Sequence, residues 1–258
     1  MLNSFELFLG PNPLWKLLAL TLAVAFGGFM RGFVGFGGAL VIVPVLSVVV
    51  GPLAAVPIAS LSGLPAVFQL LPSAVRHSER RFAVPVAGAT LVGAPLGTWV
   101  LVSVDPEVMK IGIALLVLLM VGLLYRGWQL KGTHLGVLTG AGMLSGVVQG
   151  TAGIGGPPAV AAALSRAGSA QQQRANVLAA LTAITLSTPL PLWWLGLFTR
   201  EVLIASLAII PVYSTFTWLG ARYFSERGAR HYRNAALLTL AMVGAFTLIV
   251  AVRGYTAH

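Results

Sequence analysis

The stretch GFMRGFVGFGGALVIVP, from Gly28 to Pro44, decides the fold because it interrupts an otherwise apolar helix. A near-copy, GVVQGTAGIGGP, begins 118 residues later and runs from Gly146 to Pro157. Five glycines of the first copy recur in the second copy at the same spacing. Because glycine disfavours helix and proline lacks an amide donor, each copy predicts a break in a membrane helix.

The two breaks together indicate a binding site. Backbone groups freed at a break are tolerated in lipid only where protein or a water-filled cavity satisfies them. Paired interrupted segments in corresponding halves of a chain are typical of the binding site of a secondary transporter. The repeat also reaches beyond the glycines, since Leu96-Gly97-Thr98 parallels Leu219-Gly220-Ala221 and Arg31 corresponds to Gln149.

The composition predicts an all-α polytopic membrane protein. Of 258 residues, 57% are hydrophobic and only 9% are charged, with a mean hydropathy of +0.91. A soluble domain of this length needs a larger fraction of charged residues on its hydrated surface. The formal net charge of +10 does not indicate nucleic acid, because the basic residues lie in short gaps between apolar runs. There they set orientation and contact anionic lipid head groups.

Apolar runs of the length needed to span a bilayer, about 20 residues, divide the chain into two sets of five segments. The predicted segments are 14–34, 38–50, 53–72, 82–103 and 107–126, then 134–151, 156–166, 174–197, 201–222 and 233–252. We therefore expect an N-terminal repeat over residues 1–130 and a C-terminal repeat over residues 131–258. The second segment of each set is short, so it is either re-entrant or crosses with help from its neighbours.

The distribution of Lys and Arg predicts the orientation. Basic residues concentrate in the loops 73–81, 126–131, 166–174 and 222–233. If all ten segments cross, these loops share one face, which is cytoplasmic by the positive-inside rule, and both termini lie outside. Five crossings in each half give the two repeats opposite directions, which is the inverted topology of many secondary transporters.

The carboxylates exclude several kinds of chemistry. All six lie in predicted loops or at a terminus: Glu6, Glu79, Asp105, Glu107, Glu201 and Glu226. No predicted helix therefore offers a buried carboxylate as a proton relay, a sodium ligand or an acid–base catalyst. The chain has no cysteine, and its four histidines lie at segment ends. We expect neither an enzyme nor a metal or other cofactor.

The remaining interior polar groups are hydrogen-bond donors, which suit an anion. The candidate substrate-binding residues are Arg31, Gly35, Gly37, Gly38, Ser60, Gln149, Thr151, Gly153, Gly155, Gly156, Arg174 and Asn176. Other roles stay open for some of them. Arg31 could extend to the interface, Arg174 could serve only the positive-inside pattern, and Asn176 could bond a neighbouring helix.

Four motifs resemble the TauE/SafE family of sulfite exporters. They are GFVGFGGALVIVPVL (Gly32–Leu46), GAPLG (Gly93–Gly97), GTAGIGGPP (Gly150–Pro158) and RAN (Arg174–Asn176). The resemblance covers about residues 15 to 252. It implies export of sulfite, or of a small organosulfonate such as sulfoacetate, across the bacterial inner membrane. Gln149 stands opposite Arg31 in the repeat, so a symmetric pair of arginines around the substrate is not expected.

Together these observations predict a secondary transporter that exports a small anion by alternating access. Its expected partners are the anion and membrane lipids, with a homodimer compatible with the Gly-x-x-x-Gly pairs. Several alternatives stay open: an anion channel, a carrier of another small anion or sulfur compound, an intramembrane enzyme or assembly factor, and a carrier of neutral or cationic solutes.

Overall fold

The computed structural model describes residues 13–126, 134–166 and 168–227, and all regular secondary structure in these ranges is helical. The helices are α1 (Pro13–Val34), α2 (Gly38–Val50), α3 (Pro52–His77), α4 (Arg80–Ser103), α5 (Pro106–Tyr125), α6 (Leu135–Ala152), α7 (Gly156–Leu164), α8 (Ala170–Ser187), α9 (Pro189–Trp194) and α10 (Arg200–Arg227). The prediction of an all-helical chain is confirmed. The predicted last segment, 233–252, lies outside the described residues.

Six helices in the described ranges are long and apolar enough to cross a membrane. Their candidate spans are Lys16–Phe33, Pro52–Pro72, Arg80–Ser103, Leu135–Ala152, Gln171–Trp194 and Arg200–Tyr223. These spans confirm a multi-pass membrane protein. Helices α2 and α7 have only 13 and 9 residues. At a rise of about 1.5 Å per residue they are roughly 20 and 14 Å long, which is less than the roughly 30 Å of a hydrocarbon core.

Both predicted breaks are present. Helix α1 ends at Val34 and α2 begins at Gly38, while α6 ends at Ala152 and α7 begins at Gly156. Gly37 and Gly153 have φ of 93° and 69° at these junctions. Residues other than glycine rarely adopt such φ angles, so glycine allows the chain to leave one helix and enter the next.

The first break makes a helical hairpin. A Cβ atom built on Gly38 would lie 2.7 Å from the carbonyl oxygen of Gly27, and one built on Gly27 would lie 2.9 Å from the carbonyl oxygen of Gly38. The backbones of α1 and α2 therefore touch just after the turn, and α2 runs back along α1. This close approach needs glycine at both positions.

The predicted segment 174–197 is divided, which corrects the prediction of one continuous helix. Helix α8 begins at Ala170, where the Ser169 hydroxyl accepts from the Gln172 amide, and it ends at Ser187. Helix α9 then starts at Pro189. Pro189 and Pro191 have no amide hydrogens, so α8 cannot continue its hydrogen-bond ladder through them.

The two largest helix–helix interfaces are α4 with α6 and α1 with α10. Both depend on glycine. A Cβ atom on Gly97 of α4 would overlap the carbonyl oxygen of Val147, and one on Gly150 of α6 would overlap that of Ala94. Backbone therefore lies directly on backbone at this crossing, a packing that small residues allow between membrane helices.

The α1–α10 interface reproduces the α4–α6 interface residue for residue. A Cβ atom on Gly220 would overlap the carbonyl oxygen of Phe29, and one on Gly32 would overlap that of Thr217. In the sequence repeat, Gly220 corresponds to Gly97, and Gly32 corresponds to Gly150. The first helix of each predicted half thus packs against the fourth helix of the other half, while α3 packs against α8 between them.

Alanine at Gly97 or at Gly220, which are equivalent in the sequence repeat, should push apart the two helices that cross at that glycine. We expect Gly97→Ala and Gly220→Ala each to lower the free energy of unfolding by at least about 2 kcal/mol, because the added methyl group displaces a backbone carbonyl. Thermal unfolding of the purified protein in detergent measures the loss.

The matched control is Gly88→Ala on α4, where a Cβ atom meets nothing within 4 Å. It should unfold at or slightly above the wild-type temperature, because alanine favours helix. Wild-type unfolding of Gly97→Ala or Gly220→Ala would contradict the described crossings.

Candidate functional site

A cavity of about 50 Å³ lies where the two breaks meet. Gly37 from the first break and Gly153 from the second both line it. Helices α1, α2, α3, α6, α7, α8 and α10 all contribute side chains to its wall. Since a single water needs at least about 10 to 15 Å³ of such space, the cavity has room for a water molecule or a small ion.

Arg31 is the cationic group of the cavity. It sits on α1 with only 9% of its surface exposed. One terminal guanidinium nitrogen donates to Oγ1 of Thr185 over 3.2 Å. Its Nε is buried and has no hydrogen-bond partner in the described part of the chain. Neither ion pair found among the described residues involves Arg31, so a buried guanidinium faces the cavity without a carboxylate.

Gln149 occupies the corresponding place on α6. Its side-chain oxygen accepts from the backbone N–H of Gly155 at 2.9 Å. Its side-chain nitrogen donates to Oγ1 of Thr188 over a long 3.5 Å. Gln149 therefore ties the second break to α8, and its amide is 8% exposed at the cavity wall.

Arg31 and Gln149 bond to the C-terminal end of α8, at Thr185 within the helix and at Thr188 just after its last residue. Thr185 and Thr188 are three residues apart in sequence, so their side chains lie about 5 to 6 Å apart on one side of the helix. Each threonine hydroxyl donates to a carbonyl one turn earlier, that of Leu181 or Ile184. The hydroxyl oxygens are thereby left to accept from the arginine and the glutamine.

Helix α3 adds two more hydroxyl groups. Ser60 and Ser62 line the cavity, and their side chains are 3% and 2% exposed. Neither hydroxyl oxygen has a hydrogen-bond partner among the described residues. Buried hydroxyls in folded proteins are nearly always paired with protein, water or ligand. These serines are consequently available as donors to a molecule in the cavity.

The two helix N-termini at the cavity differ in their free amides. Helix α2 has no side-chain cap, and Gly37, Ala39 and Leu40 line the cavity, so its first-turn N–H groups are open. Helix α7 begins Gly156-Pro157-Pro158, which removes two donors. The next donor, that of Ala159, is taken by the Ser145 hydroxyl at 3.0 Å.

The structure places six of the twelve candidate residues on the cavity wall. They are Arg31, Gly37, Ser60, Gln149, Gly153 and Gly156. Four others lie at the breaks but do not line the cavity: Gly35, Gly38, Thr151 and Gly155. Thr151 donates to the Gly97 carbonyl at 3.1 Å, and a Cβ atom on Gly155 would overlap the Ser145 carbonyl oxygen. Thr151 thus joins α6 to α4, and Gly155 lets the second break pack closely on α6.

Arg174 and Asn176 on α8 make contacts away from the cavity wall. Arg174 donates to the Gly32 carbonyl at 2.9 Å. The Asn176 side-chain oxygen accepts from the Glu79 backbone N–H at 2.8 Å, just before α4 begins. The Glu79 carboxylate in turn pairs with Arg166, whose Nε lies 3.0 Å from it. This polar network joins the α3–α4 connection to the α7–α8 connection.

Thr185 and Tyr213 line the cavity but were not among the candidates. Tyr213 comes from α10 and is 4% exposed. Thr185 belongs to a run of hydroxyl residues near the end of α8, and that run is the only sequence signal that could have identified it. Nothing in the local sequence indicates that Arg31 would reach a residue 154 positions away.

The described part of the chain contributes no Asp, Glu, Lys or His to the cavity wall. Its polar groups are one guanidinium, hydroxyls, a carboxamide and backbone amides. Among the described residues there is also no group of three or more potential metal ligands. The arrangement can donate hydrogen bonds to a small anion and balance its charge, but the wall offers no acid–base pair for catalysis.

Interrupted helical hairpins that share a polar cavity within a multi-pass helical protein are typical of secondary transporters. The family model described as Sulfite exporter TauE/SafE matches residues 20–247, and the chain belongs to this family. The family consists of transporters and not of enzymes. Comparison with curated proteins and with solved structures gives no match.

Replacing Asn176 should weaken the polar network but leave the hydrogen-bond donors of the cavity wall in place. We expect Asn176→Ala to lower the free energy of unfolding by about 1 to 2 kcal/mol, because the half-buried Glu79 amide loses its acceptor. Thermal unfolding in detergent measures this loss. Gln171→Ala on the same helix is the control, because it removes a solvent-exposed contact with His77 instead of a half-buried one. Loss of anion binding at unchanged stability would instead place Asn176 in the site.

Proposed function

We propose that this protein is a secondary transporter that exports a small anion, most simply sulfite or a small organosulfonate, across the bacterial inner membrane. The observation that carries this proposal is the buried Arg31, whose Nε has no partner and whose cavity holds donors but no carboxylate. Membership of the sulfite exporter family is consistent with such a substrate.

The energetics favour an anion as the occupant. A buried cation without a counter-charge costs several kcal/mol, and threonine and serine hydroxyls compensate only part of that cost. An anion in the cavity would remove the unpaired charge and accept from Nε of Arg31 and from the hydroxyls of Ser60 and Ser62. A neutral solute would leave the charge uncompensated, and a cation would add to it.

The open N-terminus of α2 supports the same substrate class. Its first-turn N–H groups and the positive end of its dipole lie at the cavity beside Arg31. The closed N-terminus of α7 adds little, because prolines and Ser145 remove its donors. We propose that Gly37, Gly153 and Gly156 shape the pocket and that Arg31, Ser60 and the α2 amides hold the anion. Gln149 orients the second break.

The proposed mechanism is alternating access between two inverted repeats. Its support is the reciprocal packing, in which Gly97 against Val147 matches Gly220 against Phe29. Such matched contacts are what a pseudo-two-fold relation between the halves would produce. In transporters of this kind the two halves rock about a fixed site, and here both breaks would stay at the cavity while the surrounding helices move.

Removing the cationic group should abolish transport while the protein remains inserted. We expect Arg31→Gln to lower sulfite flux into proteoliposomes at least about 30-fold, since losing one partner of a buried charge pair costs roughly 2 kcal/mol or more. Arg31→Lys keeps the charge without the planar fork and should retain an intermediate rate.

The control is Arg81→Gln, which makes the same chemical change on an exposed side chain at the start of α4. It should transport at the wild-type rate. Wild-type flux by Arg31→Gln, at equal protein incorporation, would remove Arg31 from the site.

The proposed orientation places the basic loops in the cytoplasm and both termini outside. The chain has no cysteine, so single cysteines can be introduced without further changes. In intact cells, an impermeant thiol reagent should label Thr199→Cys and Asn3→Cys but not Ser78→Cys, which lies between α3 and α4. All three should react after permeabilisation. Labelling of Ser78→Cys alone in intact cells would reverse the orientation.

A further inference from the structure

We propose that the cavity selects monovalent anions, so that sulfite crosses as hydrogensulfite and brings its own proton. This inference rests on the proposed function, since it assigns the charge state of the anion held at Arg31. It also identifies Gln149 as the residue that keeps the charge of the site at one unit.

The charge balance of the cavity is the first argument. Among the described residues of the wall, Arg31 is the only one with a fixed charge, and the only other ionisable side chain is that of Tyr213 on α10. The neighbouring cation, Arg174 on α8, does not line the cavity and donates to the Gly32 carbonyl. A monovalent anion in contact with Arg31 makes a neutral pair, whereas a divalent anion leaves one negative charge over.

The second argument is how the opposing energies scale with charge. The cost of transferring an ion from water into a low-dielectric site rises with the square of its charge. Its attraction to a single fixed cation rises only in proportion to the charge. Doubling the charge of the anion therefore increases the cost fourfold and the attraction twofold. Arg31 alone favours the monovalent form.

Gln149 provides the third argument. The sequence repeat pairs it with Arg31, and both bond to threonine hydroxyls one turn apart on α8. The position that would hold a second guanidinium in a symmetric site thus holds a neutral carboxamide. Its oxygen is committed to the Gly155 amide at 2.9 Å, so it shapes the second break without adding charge.

In the proposed cycle the anion itself carries the proton, so no protein carboxylate is needed as a proton relay. On the cytoplasmic side, sulfite and a proton combine to form hydrogensulfite, which binds as a monovalent anion. On the outer side, hydrogensulfite leaves and releases the proton to water. Each turnover moves one proton with one sulfite, which is consistent with the absence of Asp, Glu and His from the cavity wall.

Three probes test the charge state by calorimetric titration of the purified protein from mildly acidic to mildly alkaline pH. Methanesulfonate stays monovalent, sulfite loses its proton in this range, and sulfate stays divalent. We expect methanesulfonate affinity to be independent of pH and sulfate to bind too weakly to measure. The apparent affinity for sulfite should fall about tenfold for each pH unit above its ionisation, because only the monovalent fraction binds.

The contrary outcomes are distinct. Sulfite affinity that stays constant or rises with pH would overturn monovalent selection and leave the anion transporter intact. A parallel fall for methanesulfonate would assign the pH effect to the protein and also overturn the inference. If none of the three probes binds at any pH, the proposed function fails as well.

The variant Gln149→Glu tests the charge count at nearly constant shape. Glutamate still accepts from Gly155, loses the long bond to Thr188 and places a negative charge opposite Arg31. Methanesulfonate should therefore bind at least about 30-fold more weakly to the folded variant. Gln171→Glu, at an exposed position of α8, is the control and should bind as the wild type does. Wild-type affinity in a folded Gln149→Glu would overturn the role of Gln149.

Discussion

Direct contact between helix backbones is the constraint on which the rest of the structure depends. Where Gly97 contacts Val147, and where Gly220 contacts Phe29, no atom larger than hydrogen fits between the two helices. These crossings fix α6 against α4 and α1 against α10. Since α2 and α7 are continuous with α1 and α6 through short glycine junctions, fixing the long helices also fixes the short ones. Both breaks are thereby brought to one cavity.

That scaffold stabilises a polar interior which would be costly on its own. Arg31 is 9% exposed and has Thr185 as its side-chain partner, in a protein with 57% hydrophobic residues. The hydroxyl protons of Thr185 and Thr188 are committed to their own helix, so these threonines can act only as acceptors. Nε of Arg31 and the hydroxyls of Ser60 and Ser62 have no partner among the described residues, which supports the proposal of an anion in the cavity.

Much of the fold could be predicted from the sequence, because membrane helices and their breaks are local features. Apolar runs predicted the position of nearly every described helix, and clustered glycine followed by proline predicted both breaks. The division at Pro189 was missed because hydropathy stays high across it. Within the site, Arg31 and Gln149 could be singled out by the repeat, but their threonine partners could not, since those contacts join distant parts of the chain. The commitment of Ser145 to the Ala159 amide likewise appears only in three dimensions.

The packing of α1 on α10 and of α4 on α6 has a consequence for the independence of the two predicted halves. Residues 13–126 alone would leave the glycine face of α1, with Gly28 and Gly32, and that of α4, with Gly93 and Gly97, without the helices that cover them. Residues 134–227 alone would likewise lose the helices that cover α6 and α10. Separating the chain between α5 and α6 would therefore expose backbone surfaces on both sides, so neither predicted half is a self-contained packing unit.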